Sequence, residues 1–336
     1  MFTKLSATTR SCVAIVLMTG SMAFLPAVAV AQSVTANLNH EMTGTVIDEA
    51  TQRMAEALTS STDGAIDITV HSRGEMGSER DMFDLMQAGA IEMGVTGSVI
   101  VSSVAPEYGV LDAPYLFRSP RHLAAVMDGP IGEELIQTIL DRKGIRLIAR
   151  MDRAPRHVTT GGPEVRNPED LKGLKIRMRE IPVQIEAFRM LGASPVPMAF
   201  GEVYTALQTG VLDAQENPLD IIMGTSLYEV QETVTLTGHV REVQWLIVSE
   251  TWWSSLSDET REMIQSAADE AMSWGQDQVY SADAALMEEA REAGLTVIEL
   301  TPEERAAFSD KLAELPKAFA GRWKDGLYEA IVETAE

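Results

Sequence analysis

Residues 168–198 carry the sequence PEDLKGLKIRMREIPVQIEAFRMLGASPVPM, whose pattern decides the fold class. Residues 174–177 form a short alternating run of strand length, and residues 183–191 repeat apolar side chains at three- and four-residue spacing, as helices do. Just upstream, Asn167 offers a helix cap and Pro168 suits a first helical position. A strand followed by a helix at this spacing predicts an α/β protein with parallel strands.

The same alternation continues on both sides of this stretch. Strand-like runs occupy residues 65–70, 91–95, 146–149 and 245–248, and residues 46–58 show a helical pattern. About 300 residues of such units predict two α/β domains with mixed, largely parallel sheets; a single β/α barrel is the structural alternative. The sequence has no Gly/Ser-rich or Pro-rich linker, so we expect crossover strands or a helix to join the domains.

One segment predicts an unusually long helix. Residues 257–293 contain no proline, follow a helical stripe of apolar side chains and precede Gly294, which suits a C-terminal cap. At 1.5 Å per residue, a helix of roughly 35 residues is about 50 Å long and can cross both domains. Two helices kinked at Gly275 are the alternative.

The composition excludes several functions. The 336 residues include 50 acidic and 27 basic side chains, a formal charge of −23, whereas nucleic-acid binding needs a basic surface. The five histidines are scattered, and His40-Glu41 lacks the second histidine of a zinc-binding helix. The sequence has no glycine-rich phosphate loop and no nucleophile elbow. We therefore expect no metal, no cofactor and no catalytic residues. Abundant carboxylates leave a secreted enzyme acting on an acidic sugar as an alternative.

The first 31 residues predict export. Lys4 and Arg10 accompany mostly apolar stretches, and residues 29–31 (AVA) form a small-x-small cleavage site. This pattern predicts a cleavable signal peptide over residues 1–31 and a periplasmic protein; an uncleaved anchor is the alternative. The only cysteine, Cys12, lies within this segment, so we expect no disulfide in the mature chain. The strong negative charge favours a monomer.

Several short motifs lie along the rest of the chain. They are RHVTT at residues 156–160, EDLKGLKIR at 169–177, LGASPVPM at 191–198, FGEVYTALQTG at 200–210, DAQENP at 213–218 and LTGH at 236–239, with GEMGSER at 74–80 and LDAPYLF at 111–117 nearer the N terminus. The order and spacing of these motifs make the chain resemble the DctP-type solute-binding subunits of tripartite ATP-independent periplasmic (TRAP) transporters.

The resemblance implies a fold and a set of partners. Members of this family have two α/β domains of periplasmic-binding-protein architecture, which are joined by strands and a long helix and close on an organic acid. Here it implies residues 32–154 with 243–282 as the first domain and residues 155–242 with 283–336 as the second. It also implies delivery of the ligand to the small and large membrane subunits of a TRAP permease. A receptor for another transporter type is the alternative.

The resemblance also implies ligand-binding residues. Arg177 matches the arginine that clamps the substrate carboxylate. It ends a short strand, where ligands of open α/β sheets bind, and its planar guanidinium suits a carboxylate. The expected second-domain site residues are Arg177, Arg156, Asn217, Glu216, Phe200 and His239. The expected first-domain site residues are Asn39, Glu79, Thr96, Ser98, Tyr115 and Trp245.

Alternative roles remain open for the second-domain residues. A surface ion pair is the alternative for Arg177, and a structural ion pair is the alternative for Arg156. Asn217 can instead cap a helix, a role that asparagine favours. Core packing is the alternative for both Phe200 and His239.

Two departures from the family pattern bear on the ligand. Ala214 replaces the glycine that usually precedes the Gln-Glu-Asn-Pro motif, which an extended backbone tolerates. Gly97 stands where the sialate-binding branch of the family carries a glutamate, so sialate is not expected. Residues 179–182 are similar to the branches that bind sugar acids. We therefore expect a sugar acid such as a uronate or an aldonate first, and a C4-dicarboxylate second.

Overall fold

The computed structural model describes residues 33–336, apart from the side chain of Asp283. The predicted signal peptide, residues 1–31, lies outside the described residues. No helix in the described part of the chain has both the length and the hydrophobicity that a membrane span requires.

The described residues form eleven strands and thirteen α-helices, which fold into an α/β structure with two separate sheets. In chain order the strands are β1 (Val34–Asn39), β2 (Ile66–His71), β3 (Met93–Thr96), β4 (Ile145–Asp152), β5 (His157–Thr160), β6 (Lys175–Met178), β7 (Ser194–Pro197), β8 (Ala214–Asn217), β9 (Thr233–Thr235), β10 (Val243–Ser249) and β11 (Thr296–Ile298). The helices are α1 (Val46–Ser61), α2 (Glu79–Gln87), α3 (Val99–Val104), α4 (Pro120–Met127), α5 (Pro130–Lys143), α6 (Pro182–Met190), α7 (Val203–Gln208), α8 (Leu219–Gly224), α9 (Glu250–Ser255), α10 (Asp258–Glu292), α11 (Pro302–Lys311), α12 (Leu315–Ala318) and α13 (Leu327–Glu333).

Each sheet is parallel except for one strand. The first sheet has the order β2-β1-β3-β10-β4, and only β10 runs antiparallel to its neighbours. The second sheet has the order β11-β9-β5-β8-β6-β7, and only β5 is reversed. Mixed, largely parallel sheets are therefore confirmed. The β/α barrel is wrong, because the strands form two open sheets.

Local sequence explains why the strand–helix units form where they do. The stretch that opens the sequence analysis contains β6, α6 and β7, and β6 pairs in parallel with β7. Pro182 occupies the first turn of α6, where its missing amide hydrogen costs no helical hydrogen bond. Ile176 and Phe188 are buried together in the core between the sheet and this helix.

Two extended connections join the sheets. Residues 153–156 lead from β4 to β5, and residues 236–242 lead from β9 to β10. They run side by side, since the Arg153 amide donates to the Glu242 carbonyl at 2.9 Å and the Arg156 amide to the Val240 carbonyl at 3.0 Å. The predicted domain boundaries near residues 154 and 242 fall in or beside these connections and remain a prediction.

The long helix α10 is the third connection. It runs unbroken through Gly275, so the alternative of two kinked helices is wrong. A Cβ at this glycine would lie 2.9 Å from the Met151 sulfur and 3.6 Å from the Ala50 Cβ, so the glycine lets α10 approach β4 and α1 closely. Its Met272 is buried in the core under the first sheet, and its Ala290 is buried in a core beside the second. One helix therefore belongs to both halves of the fold.

Filling the space at Gly275 tests this close packing. We expect Gly275→Leu to lower the free energy of unfolding by about 1–3 kcal/mol, because the new side chain would overpack the contact with Met151. Urea unfolding followed by circular dichroism measures the change. Ala284→Leu, at an exposed position of the same helix, is the control and should stay within about 0.5 kcal/mol. Equal stability of the two variants would contradict the packing described here.

Candidate functional site

A cleft opens at the carboxyl ends of parallel strands, where ligands of open α/β sheets bind. Asn39 ends β1 and Asn217 ends β8, and both border the cleft. The cleft encloses about 920 Å³ when the space up to its open mouth is counted. Its lining residues are Asn39, His40, Glu41, Met42, Ser78, Glu79, Arg80, Met82, Val95, Gly97, Val99, Arg153, Arg156, Arg177, Arg179, Glu180, Met198, Ala199, Phe200, Asn217 and Gln244.

Arg177, on β6, contributes a buried cation to this cleft. Its Nε and Nη2 both donate to the Met198 carbonyl, at 2.9 and 2.8 Å, and its guanidinium carbon lies 5.7 Å from the centre of the Phe200 ring. The side chain is only 3% exposed. Among the described residues, no carboxylate lies within ion-pairing distance of Arg177. A surface ion pair is therefore the wrong interpretation of this residue.

The charge of Arg177 persists despite its burial. Burial lowers the pKa of Arg177 to about 10, while the Glu216 carboxylate opposes the shift. The guanidinium is therefore still protonated at neutral pH. A buried cation without an ionic partner is costly, so an anion entering the cleft would be stabilised strongly beside it.

Arg156 is fully buried in the same wall, but its guanidinium has several hydrogen-bond and ion-pair partners. Its Nε and Nη2 donate to the Glu216 carboxylate at 2.5 and 2.9 Å, and Nη2 also donates to Asn217 Oδ1 at 2.9 Å. His239 Nε2 lies 3.1 Å from the same carboxylate, and its ring packs edge-on against Phe188. These contacts fit the structural ion pair for Arg156, although its side chain also borders the cleft.

Glu242 is the centre of a second ionic cluster. Its carboxylate accepts from Arg153 at 3.1 Å, from Arg156 at 3.2 Å and from Arg179 at 2.8 Å. The Ser98 hydroxyl donates to it as well, at 2.8 Å. Glu242 lies in the connection from β9 to β10, so this cluster ties the two sheets together at the base of the cleft.

The pKa values of this cluster follow from its geometry. Burial opposes ionisation of Glu242, but the guanidinium groups of Arg179, Arg156 and Arg153 outweigh it and hold the pKa of Glu242 at about 2. Burial likewise opposes the charge of Arg179, yet the Glu242 carboxylate keeps the pKa of Arg179 above its ordinary value. The cluster is therefore ionised throughout the neutral range.

The opposite wall, formed by the first sheet and α2, carries acids and amides. Asn39 donates to the Gly77 carbonyl at 3.3 Å and accepts from the Met76 amide at 3.2 Å. Glu79 accepts from the Gly97 amide at 2.8 Å and also from the Thr96 hydroxyl. Such groups can accept hydrogen bonds from hydroxyl groups of a ligand.

Two further acids complete the rim of the cleft. Burial, reinforced by the nearby Glu79, raises the pKa of Glu41 to about 7, so Glu41 is partly neutral at neutral pH. Arg80 and Glu180 form an ion pair between α2 and the segment after β6, and each is about half exposed. This pair connects the two walls across the cleft.

Half of the predicted site residues border the cleft. They are Asn39, Glu79, Arg156, Arg177, Phe200 and Asn217. Of the others, Glu216 and His239 lie behind Arg156, and Thr96 and Ser98 lie behind Glu79 and Glu242, all as hydrogen-bond partners. Tyr115 donates its backbone amide to the His239 carbonyl at 2.8 Å, and Trp245 is buried in β10 opposite Thr96; neither lines the cleft.

Sequence reasoning missed several residues of the site. Arg153, Arg179, Glu41 and Gln244 border the cleft, and Glu242 joins the arginines. A signal existed for Arg179, because it stands two residues after Arg177, and alternate residues of a strand share a face. The acids gave no signal, because an acid-rich chain offers no way to single out one glutamate.

A metal site finds no support in the described part of the chain. No group of three or more histidine, cysteine, aspartate or glutamate side chains there is placed to hold a metal ion. The polar groups of the cleft are instead four buried arginines with amides and carboxylates, an arrangement that suits an anionic, hydroxylated organic molecule.

Replacing the carboxylate of Glu242 tests the ionic cluster. A depressed pKa adds stability that is fully present above the unfolded value near 4.5 and is lost as the pH falls towards 2. We expect Glu242→Gln to be less stable than the parent at pH 7 by about 3 kcal/mol, and the gap to shrink to about 1 kcal/mol by pH 2.5. Urea unfolding at several pH values measures the gap. Glu299→Gln, which removes an exposed glutamate, should show no such dependence; a constant gap for Glu242→Gln would contradict the cluster.

Comparison with known proteins agrees with this geometry. The model of the DctP family, described as bacterial extracellular solute-binding protein, family 7, matches residues 39–322. The 2,3-diketo-L-gulonate-binding periplasmic protein YiaO of Escherichia coli K12 is 33% identical over 263 residues, which cover 78% of this chain and 79% of that protein.

Solved structures extend the agreement to the fold. A TRAP periplasmic solute-binding protein from Roseobacter denitrificans with bound L-galactonate superposes with a TM-score of 0.81 and 32% identity, over 89% of this chain and 99% of that one. The sugar-acid-binding protein DctPAm from Advenella mimigardefordensis, in complex with galactonate, has a TM-score of 0.86 and 26% identity, over 90% and 98%. Both the family match and the two-lobed fold cover most of the described residues, and the chain therefore belongs to the DctP family of TRAP-transporter solute-binding proteins.

Proposed function

We propose that this protein binds a small sugar acid in the cleft and delivers it to a TRAP permease. The observation that carries this proposal is the buried guanidinium of Arg177, which borders the cleft and lacks an ionic partner among the described residues. A carboxylate placed there would complete a charge-assisted pair in a site that largely excludes water. The Met198 carbonyl holds Nε and Nη2, which leaves Nη1 for the ligand.

The opposite wall supports the sugar part of the proposal. Asn39, Glu41 and Glu79 offer amide and carboxylate groups that suit the hydroxyl groups of a polyol chain or ring. Relatives with this fold bind 2,3-diketo-L-gulonate and L-galactonate, as their names and bound ligands record. We place sugar acids such as uronates and aldonates first, and C4-dicarboxylates second.

The finer details of the delivery are part of the same proposal. Residues 1–31 act as a cleavable signal peptide, and the mature protein works in the periplasm as a monomer. The domains 32–154 with 243–282 and 155–242 with 283–336 close on the ligand, because only the closed state lets it touch both walls. The Arg80–Glu180 ion pair would then help to hold the closed state. The protein acts as a receptor and leaves its ligand chemically unchanged; NMR of a ligand incubated with the protein tests this directly.

Removing the cation tests the proposal. We expect Arg177→Ala to weaken binding of the best sugar acid at least about 30-fold, because a buried carboxylate would lose its partner. Isothermal titration calorimetry measures the affinity after unfolding and refolding, which strips any ligand retained from expression. The ligand-free variant should unfold at the same temperature as the parent or higher, since an unpaired buried charge is removed.

The control for this experiment is Arg189→Ala, which removes an exposed arginine on the neighbouring helix α6 and should leave the affinity unchanged. An affinity of Arg177→Ala within threefold of the parent would contradict the assignment of Arg177 as the carboxylate clamp.

A further inference from the structure

The charges around the cleft do not balance. Three buried arginines and the largely buried Arg153 line it, and within the described residues the carboxylates that form ion pairs with any of these four are Glu216 and Glu242. Glu216 neutralises Arg156, and Glu242 is shared by three guanidinium groups. Two positive charges are therefore left over, one on Arg177 and one divided between Arg153 and Arg179.

Other buried acids do not make up the difference. Asp112 and Asp220 interact electrostatically with Arg179 and Arg153, but neither forms an ion pair with an arginine among the described residues. Burial raises the pKa of Asp112 to about 7, which reduces its negative charge at neutral pH, and burial also raises the pKa of Asp220. Glu79 accepts from the Gly97 amide and the Thr96 hydroxyl, and it forms no ion pair with an arginine among the described residues.

Unsatisfied polar atoms mark where the second charge is concentrated. Arg153 Nη2 and Arg179 Nε are buried donors without a hydrogen-bond partner, and Gln244 Oε1 is a buried acceptor without one. All three side chains line the cleft. Two guanidinium groups with unused donors that line the same cleft favour an anionic ligand group.

Gly97 provides the space beside these groups. A Cβ at this residue would lie 3.8 Å from Arg153 Nη1, from Arg179 Nη1 and from Gln244 Oε1, all at ordinary contact distance. The glycine does not have a positive φ, so its backbone accepts other residues. Its lack of a side chain therefore leaves room for a ligand group next to the two guanidinium groups.

From this arrangement, and resting on the proposed function, we infer that the ligand is a hydroxylated dicarboxylate, with one carboxylate on Arg177 and the other beside Gly97, Arg153 and Arg179. Arg177 and Arg179 are two residues apart along an extended segment, so their side chains lie on the same face and their Cα atoms are roughly 6.6 Å apart. The two carboxylates of an extended diacid of about five or six carbons have a comparable separation, since each carbon–carbon bond is about 1.5 Å long. Glu41 and Glu79 accept hydrogen bonds from the hydroxyl groups between its ends.

Within the sugar acids, the inference favours the diacids over the uronates and aldonates that the proposed function places first. Uronates and aldonates carry one carboxylate, so they neutralise Arg177 and leave the charge beside Gly97 uncompensated. A matched pair of ligands isolates this difference: D-glucarate and D-gluconate share their hydroxyl stereochemistry and differ only in whether the sixth carbon is a carboxylate or an alcohol. Galactarate with D-galactonate and xylarate with D-xylonate extend the comparison to another stereochemistry and a shorter chain.

The experiment measures the affinity of the refolded protein for each pair by isothermal titration calorimetry. We expect the diacid of the best pair to bind at least about 100-fold more tightly than its monoacid. Gly97→Asp should place its own carboxylate beside Arg153 and Arg179. It should weaken binding of the diacid at least about 100-fold and binding of the monoacid far less, because the monoacid brings no second carboxylate to this position. Gly97→Ala fills the space without adding charge. It should weaken binding of the diacid more than binding of the monoacid, but by less than Gly97→Asp does.

Gly161→Ala is the matched control. Its Cβ would also meet neighbours at 3.8 and 3.9 Å, but Gly161 does not line the cleft, so both affinities should be unchanged. This inference would be overturned if the monoacid bound as tightly as its diacid in every pair. The proposed function would remain intact if Arg177→Ala still weakened that binding as predicted above. A refolded protein that binds none of the mono- or diacids would overturn both.

Discussion

A buried guanidinium group needs a negative partner. In this fold four guanidinium groups line one cleft at the junction of the two sheets. Glu242, in the connection between β9 and β10, forms ion pairs with three of these groups, and Glu216, on β8, forms an ion pair with Arg156. Among the described residues, Arg177 donates only to the Met198 carbonyl, whose dipole orients the guanidinium but does not neutralise it. We propose that the cost of this unpaired charge makes the cleft selective for anions, because a bound carboxylate would neutralise it.

The architecture keeps these charges in place. The two connecting segments pair through backbone hydrogen bonds between Arg153 and Glu242 and between Arg156 and Val240, so the ionic cluster sits on the joint between the halves. The helix α10 belongs to both cores and passes Gly275 without a break. We propose that this joint of two connecting segments, one helix and a central carboxylate lets the halves move as rigid bodies, as closure of a receptor on its ligand requires.

The strands and helices of this molecule are easier to predict from the sequence than the residues of its candidate site. The strand β2 and the long helix α10 are evident from periodicity, because each buries one face, and β10 is evident as a short continuous apolar run that is buried on both faces. The strands β5 and β8 are not evident, since the buried residues of His157–Thr160 and Ala214–Asn217 are largely polar and are satisfied by hydrogen bonds across the sheet. Arg177 could be predicted from its position and its motif. Glu242 could not, because only the tertiary fold brings three arginines to one glutamate.

The most direct test of this account is a crystal structure of the protein with its best-binding sugar acid. The account predicts a ligand carboxylate within hydrogen-bond distance of Arg177 Nη1, with Nε and Nη2 still donating to the Met198 carbonyl. It also predicts that Arg156 keeps its bonds to Glu216 and Asn217, so that the ligand adds an anion to a preformed site. A ligand carboxylate bound elsewhere in the cleft, with Arg177 turned to pair with Glu216, would contradict the central claim.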